Sequence, residues 1–312
     1  MVAAPLFLSS GDLIADRRYD HARALEQRGD LEAAAELLLQ AIEQAPKFVS
    51  AWFALGEIRE RTGDCDGAIE AFAAVLANDR DDRLGAALRL IRLGVAAGNE
   101  QIWSVHIRTL FDQYAPRFDE ALIERLDYRG PELLVAAVTD LARGKAAPAF
   151  FESMLDLGCG TGLAGAVFRQ MAKQMTGVDL SPGMIAQAQA KSLYDRLETG
   201  DLVSFLDEEA RSDRRYDLVI AADVFVYFGD LTQICQSIAC VLSPSGLFAF
   251  TLETHSGPGV FLGEKLRYAH AADYVRDALK KAGLMVCTIN PASTRKESGS
   301  PVPGLIVVAA YR

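Results

Sequence analysis

The residues best suited to chemistry sit in one short stretch, Leu155-Asp156-Leu157-Gly158-Cys159-Gly160-Thr161-Gly162. Three glycines at alternate positions let a backbone turn sharply and approach a ligand with no Cβ in between. The apolar run Met154–Leu157 precedes them and a helical pattern follows, so the loop is expected to leave a strand and open a helix. In an open parallel sheet, the crevice beyond a strand's carboxyl end is where ligands bind. A glycine loop alone is a weak signal. The next apolar run strengthens it, because Gly177-Val178-Asp179 places a carboxylate 17 residues after Gly162, where it could accept both hydroxyls of a ribose. Leu163 stands where the dinucleotide fingerprint has its third glycine, which disfavours a nicotinamide cofactor.

Further polar and aromatic residues follow the next two predicted strands: Asp223, Tyr227, Phe228, Glu253, His255, Arg267, Tyr268 and His270. These are the candidate substrate-pocket residues. A histidine is neutral near pH 7 and can act as a base, so His255 and His270, with Tyr227, are the candidate catalytic side chains. For either histidine alone, the reading as a surface or structural residue is the stronger one. Arg267 could pair with a substrate anion or with a neighbouring acid. Arg295-Lys296, in a polar loop, reads as a solvated face, and Gly257-Pro258-Gly259 as a mobile stretch at an entrance. The five cysteines form no C-x-x-C pair and no metal-like grouping with the four histidines, so no metal site is expected and the thiols read as free.

The elements that must position these residues have two rhythms. From about Ser153 short apolar runs alternate with helical stretches: Met154–Leu157, Gln174–Asp179, Tyr216–Ala222 and Gly246–Leu252. Such alternation predicts a parallel sheet with helices on both faces. Leu284–Ile289 and Leu305–Tyr311, with no helix between them, permit an antiparallel pair at the close. The uncharged run Leu231–Leu252 is long enough to cross a bilayer, but Ser243-Pro244-Ser245-Gly246 splits it into a helix and a strand. Before Ser153 the pattern is helical throughout. Residues 50–80 carry Trp52, Leu55-Gly56, Gly63, Ala68, Phe72 and Val75, and a weaker copy 34 positions earlier carries Gly29, Ala34, Leu38 and Ala41. Arg28-Gly29-Asp30 matches Thr62-Gly63-Asp64, and a partial third helix follows near Arg83–Ala97. Repeats of this kind need neighbours to bury their faces. Residues 100–150 belong to no repeat and are rich in aromatics, including Phe111, Tyr114, Phe118 and Tyr128.

The repeat segment resembles the tetratricopeptide repeat family, although its first copy has Arg18 and His21-Ala22 where the second has Trp52 and Leu55-Gly56. The glycine loop resembles the cofactor-binding loop of class I S-adenosylmethionine (SAM) dependent methyltransferases. Asp179-Leu180-Ser181-Pro182-Gly183-Met184, Gly200-Asp201-Leu202, Tyr216–Asp223 and Ser243-Pro244-Ser245-Gly246 resemble that family's later landmarks, in order. The resemblance implies an α/β, Rossmann-like seven-stranded sheet with an antiparallel last strand, behind an all-α helical-repeat domain. It also implies SAM as cofactor. Gly158, Cys159, Gly160, Thr161 and Gly162 would cradle it, Asp156 would reach its amino group through water or simply cap the loop, and Asp179 would hold ribose. Leu180 and Met184 would flank adenine, Asp201 and Leu202 would face its amino group, and Asp223 would lie beside the methionine moiety. Tyr114, with Phe118, is expected either as a lid or as core. The linker Leu110–Asp119, Asp127-Tyr128-Arg129-Gly130-Pro131 and Arg267-Tyr268-Ala269-His270 further resemble bacterial methyltransferases carrying a tetratricopeptide segment in front.

Three regions are therefore expected: repeats over 1–99, a helical linker or lid over 100–150, and a methyltransferase domain over 151–312. The formal net charge of −10 gives no bulk attraction to nucleic acid or anionic lipid. Met1–Ser10 is apolar but reads as too short for a secretory signal. These features predict a cytoplasmic enzyme that binds SAM and S-adenosylhomocysteine (SAH). They favour a small-molecule methyl acceptor over a protein, with no nucleic acid or membrane partner and a possible protein partner at the repeats. A non-catalytic SAM-binding protein that uses its repeats for assembly is the alternative.

Overall fold

A computed structural model describes residues 6–95, 100–122, 126–142 and 149–311. The chain divides into two compact units, Met1–Leu110 and Phe111–Arg312.

In the first unit, α1 (Leu13–Gln27) pairs with α2 (Leu31–Gln44) and α3 (Val49–Thr62) with α4 (Cys65–Asn78). The two matched turns take one shape for one reason. Gly29 and Gly63 adopt left-handed φ of 85° and 84°, and Asp30 and Asp64 then cap the following helices through the amides of Ala33 and Gly67. A Cβ added at Gly56 would lie 2.6 Å from the Phe72 ring, so the second pair meets glycine against phenylalanine. The first pair has Ala22 and Leu38 at those places, both wholly buried, the smaller leucine leaving room for the methyl. Arg18, standing where the second copy has Trp52, donates instead to the Gln40 carbonyl. The expected third helix is α5 (Ala86–Arg92), which ends earlier than its sequence pattern suggested; Ala96 and Ala97 lie outside the described residues, as does the expected boundary at 99.

Helix α6 (Glu100–Tyr114) runs into the second unit, where a 3-10 turn (Ala115–Arg117) and α7 (Phe118–Glu120) follow it. After α8 (Gly130–Ala142) the chain alternates: β1 (Phe151–Leu157), α9 (Leu163–Phe168), β2 (Ala172–Asp179), α10 (Pro182–Ala190), β3 (Arg196–Thr199), α11 (Leu202–Arg211) and β4 (Tyr216–Ala221). Then come α12 (Thr232–Val241), β5 (Leu242–Glu253), the short β6 (Val260–Leu262) and β7 (Tyr268–His270), and α13 (Ala272–Lys281). The described chain ends with β8 (Leu284–Ala292), a hairpin of β9 (Lys296–Glu297) and β10 (Ser300–Pro301), and β11 (Gly304–Tyr311). Strand order is β3-β2-β1-β4-β5-β11-β8, parallel through β5, with β11 antiparallel to both its neighbours. This is the expected seven-stranded sheet; β6 and β7 extend it by pairing beside the end of β5.

Alternation along β1 supplies both faces. Leu155 and Leu157 pack toward α11, α12 and α13, while Met154 packs toward α8 and α9 with Leu218, Ile220 and Phe168. In β4, Leu218, Val219, Ile220 and Ala221 are all wholly buried, as a central strand covered on both sides requires. The run Leu231–Leu252 divides into α12 and β5, and no described helix is long and apolar enough to cross a membrane.

Candidate active site

All three loop glycines take positive φ: 65° at Gly158, 53° at Gly160 and 91° at Gly162. Side chains would be strained there, and a Cβ on Gly158 would meet Val224 at 2.6 Å. The loop is anchored on β2, where the Cys159 amide donates to the Val178 carbonyl. The Asp179 carboxylate, at the end of β2, accepts from the Gly160 amide at 2.9 Å and the Ser181 amide at 2.9 Å. Burial, with the nearby Asp112 charge, pushes this carboxyl above its ordinary range despite those two donors. Sequence brought loop and acid together by their spacing at the ends of successive strands; the backbone joins them by hydrogen bonds.

Asp156 is 1% exposed beneath the loop. Its Oδ2 accepts from the Tyr194 hydroxyl at 2.7 Å, and its Oδ1 has no partner among the described residues. Burial drives its pKa up to about 7, with Asp179 adding to the rise. Cys159 is buried, and burial lifts its thiol well above the ordinary value, as suits a small loop filler. Leu180 is half-buried, whereas Met184 is 1% exposed and packs inside the unit. Asp201 caps α11 through the Ser204 amide, and Leu202 is buried behind it.

The aromatic segment ahead of the sheet lies over the loop. The position of a Cβ on Gly160 is 3.8 Å from the Phe118 ring, Phe118 meets Tyr114 and Phe111 edge-on, and Phe111 meets Tyr227 edge-on at 5.5 Å. Two aspartates that sequence reasoning passed over hold it there. Asp112 accepts from the Ser181 hydroxyl and the Gly183 amide at the start of α10, and Asp119 accepts from the Thr161 hydroxyl and pairs with Lys191 at 2.6 Å. Acids among aromatics carried no sequence signal, because their partners lie 42 to 72 positions away.

At the carboxyl ends of β4 and β5 the structure revises one expectation outright. Arg295, read as solvated, is 5% exposed and reaches three acids: Asp223 at 2.5 Å, Glu253, and Glu297 at 3.3 Å. Lys296 does face solvent, pairing with Asp127. Arg267 pairs with Glu297 at 2.6 Å, the second of the two roles open to it, and Lys265 joins the same glutamate. Although burial opposes ionisation, Lys265, Arg267 and Arg295 hold the Glu297 carboxyl down at about 2. Asp223 adopts a left-handed φ of 56°, its amide donating to Thr251 Oγ1 and its carboxylate accepting from Thr251, Thr294 and Arg295. That carboxylate is fully engaged, which suits a backbone role beside a ligand.

The candidate bases separate. His270 is wholly buried, Nε2 donates to the Phe228 carbonyl at 2.9 Å, and burial lowers its pKa to about 4. Its ring stacks on Tyr274 at 5.7 Å. His255 lies in an open cleft of about 700 Å³ lined also by Gly257, Pro258, Asp273 and Asp277, and no glycine-loop residue lines that cleft. Tyr227 is half-buried, touches Phe111, and lies within electrostatic range of Arg267 and Arg295.

Residues 155–250 match the methyltransferase domain family, and residues 19–83 match the tetratricopeptide repeat family. The chain is 34% identical over 178 residues to methyltransferase-like protein 27 of Homo sapiens, covering 56% of this chain and 66% of that protein. It is 33% identical over 105 residues to a malonyl-[acyl-carrier protein] O-methyltransferase of Acetivibrio thermocellus, covering 33% of this chain and 36% of that protein. The chain thus spans less than two thirds of either relative. Among solved structures, the fold is shared with the magnesium protoporphyrin IX methyltransferase of Synechocystis, with bound SAH, at TM-score 0.52 and 18% identity over 67% of this chain and all of that one. It is shared also with the 1,6-didemethyltoxoflavin-N1-methyltransferase of Burkholderia thailandensis, at TM-score 0.53 and 18% identity over 69% of this chain and 91% of that one.

Proposed function

We propose that the second unit is a SAM-dependent methyltransferase that passes the methyl group of S-adenosylmethionine to a small-molecule acceptor in the cytoplasm, and that the repeats recruit a protein partner. The observation that carries the reading is the Asp179 carboxylate hydrogen-bonded to the loop of left-handed glycines, at the carboxyl end of a parallel sheet. The residues present fit the cofactor. The glycine loop leaves a cradle that a Cβ would strain, Asp179 offers carboxylate oxygens to ribose, the half-buried Leu180 supplies apolar surface for adenine, and Asp156 Oδ1 is a buried acceptor without a partner among the described residues. The cofactor when bound supplies a methyl group already activated on a sulfonium sulfur.

The chain's own task is then alignment and exclusion of water. Phe111, Tyr114 and Phe118 form an apolar cover over the glycine loop, and the Tyr227 ring meets Phe111 at its edge. Holding reactants in line can supply several kcal/mol, of the order of 7–11 in the best model systems. A base is needed only for an acceptor that arrives protonated; Tyr227 and His255 remain candidates for it, and His270 is a structural residue. Calorimetry with SAM, SAH and NAD tests the cofactor assignment: binding of the first two without the third is expected, and binding of NAD alone sinks it. Tritium transfer from labelled SAM into the small-molecule fraction of a source-cell extract tests catalysis. Binding without transfer would favour the non-catalytic alternative.

A further inference from the structure

Asp179 is held by two backbone amides, whereas Asp156 keeps one buried carboxyl oxygen without a partner among the described residues. The carboxyl is 1% exposed, one oxygen is held by Tyr194, and the other is buried without a partner among the described residues. A buried ionised carboxylate with an unmet oxygen is costly, and the group responds by keeping its proton. The titratable groups facing it are Asp179 from β2, Cys159 in the loop, Tyr128 ahead of α8 and Tyr194 after α10; none of them is a cation. Tyr194 is itself fixed: its ring packs where Cβ atoms on Gly162, Gly165 and Gly177 would otherwise sit, at 3.2, 2.5 and 2.9 Å. Three small residues therefore make room for one phenol whose hydroxyl ends on one carboxyl oxygen.

We propose that Tyr194 is a positioning residue that locks the Asp156 carboxyl with Oδ1 turned to the cofactor's ammonium group, and that cofactor binding expels a proton from Asp156. The inference rests on the reading of the site as a SAM site. The ammonium N–H donates to Oδ1, the proton formerly on the carboxyl leaves to solvent, and no covalent bond changes. The cation supplies the opposite charge that the protein does not, so the carboxyl ionises only when the cofactor is present.

The sign follows from linkage. The free protein holds this proton below about pH 7 and the complex does not, so SAH affinity should fall as pH drops through that value, by up to about tenfold per unit. Above it the dependence should vanish. Tyr194→Phe keeps the ring and removes the donor that favours the carboxylate, so the break should move upward by about one pH unit with little change in Tm. Asp156→Asn keeps the ligand's own ionisation and removes the carboxyl, giving the baseline. The experiment is SAH calorimetry on the full chain between about pH 5.5 and 8.5, in paired buffers of different ionisation heat to count protons released. Release of about one proton near pH 6, absent in Asp156→Asn and shifted in Tyr194→Phe, is the expected result. SAH binding with no proton release overturns this inference and leaves the proposed function standing. An unshifted Tyr194→Phe profile removes the role given to Tyr194. Failure to bind SAH at any pH removes both readings.

Discussion

At the scale of single residues, the site is built from groups held in states they would not adopt in water. Asp179→Ala removes the acceptor of two amides and the proposed ribose ligand, and should weaken SAH binding at least tenfold, read by calorimetry, while the fold persists. Asp156→Asn should weaken it too, yet raise the Tm of the free protein at about pH 8. Ionising a carboxyl whose pKa is pushed up to about 7 costs the fold stability as pH rises, an amide does not ionise, and the difference is of the order of 2–4 kcal/mol. His270 has the opposite sign. Its pKa is lowered to about 4, so between about pH 6.5 and 4 the unfolded chain takes up a proton that the folded one refuses, and stability falls as pH falls through that window. His270→Gln, which retains a donor for the Phe228 carbonyl, should flatten the acid limb of Tm against pH; an unchanged limb would assign the loss to other groups. The three glycines and Asp179 were legible as residues because their chemistry is local: each is required by its own backbone or its own charge. Arg295 was not, because two of the three acids around it, Asp223 and Glu253, lie 72 and 42 positions away at the carboxyl ends of β4 and β5.

Among elements, patterning told helix from strand and missed strands too short to have a period: the four-residue β3, which only the resemblance placed, the three-residue β6 and β7, and the two-residue β9 and β10. The repeats offer a direct test of packing. Gly56→Ala should destabilise the first unit by about 1–3 kcal/mol, since its Cβ would press on Phe72. Adding Phe72→Leu copies the solution of the first pair, Ala22 against Leu38, and should recover most of that loss in urea denaturation. The aromatic segment is proposed to act as a lid held by Asp112 and Asp119. Asp119→Ala and Tyr114→Ala should speed SAH release several-fold in stopped flow, with smaller effects on binding rate; an unaltered off-rate removes the lid.

The second unit as a whole is decided by pairings no short window contains. Strands β4, β5 and the β8–β9 turn meet at Arg295, and Arg295→Met would strand Asp223, Glu253 and Glu297 with too little positive charge. A loss of about 3–5 kcal/mol is expected in chemical denaturation of the full chain, as for other broken buried pairs. By itself the sequence determined the two rhythms, the order of the landmarks and the identity of the loop, because periodicity, turn chemistry and a glycine's φ are properties of neighbouring residues. Only the tertiary structure decided that His270 is sealed, that Asp223 is fully engaged, that Arg295 is buried, and that Tyr194 faces Asp156. Burial and partnership set a side chain's protonation and reach, and both are created when strands distant in the chain come to lie side by side.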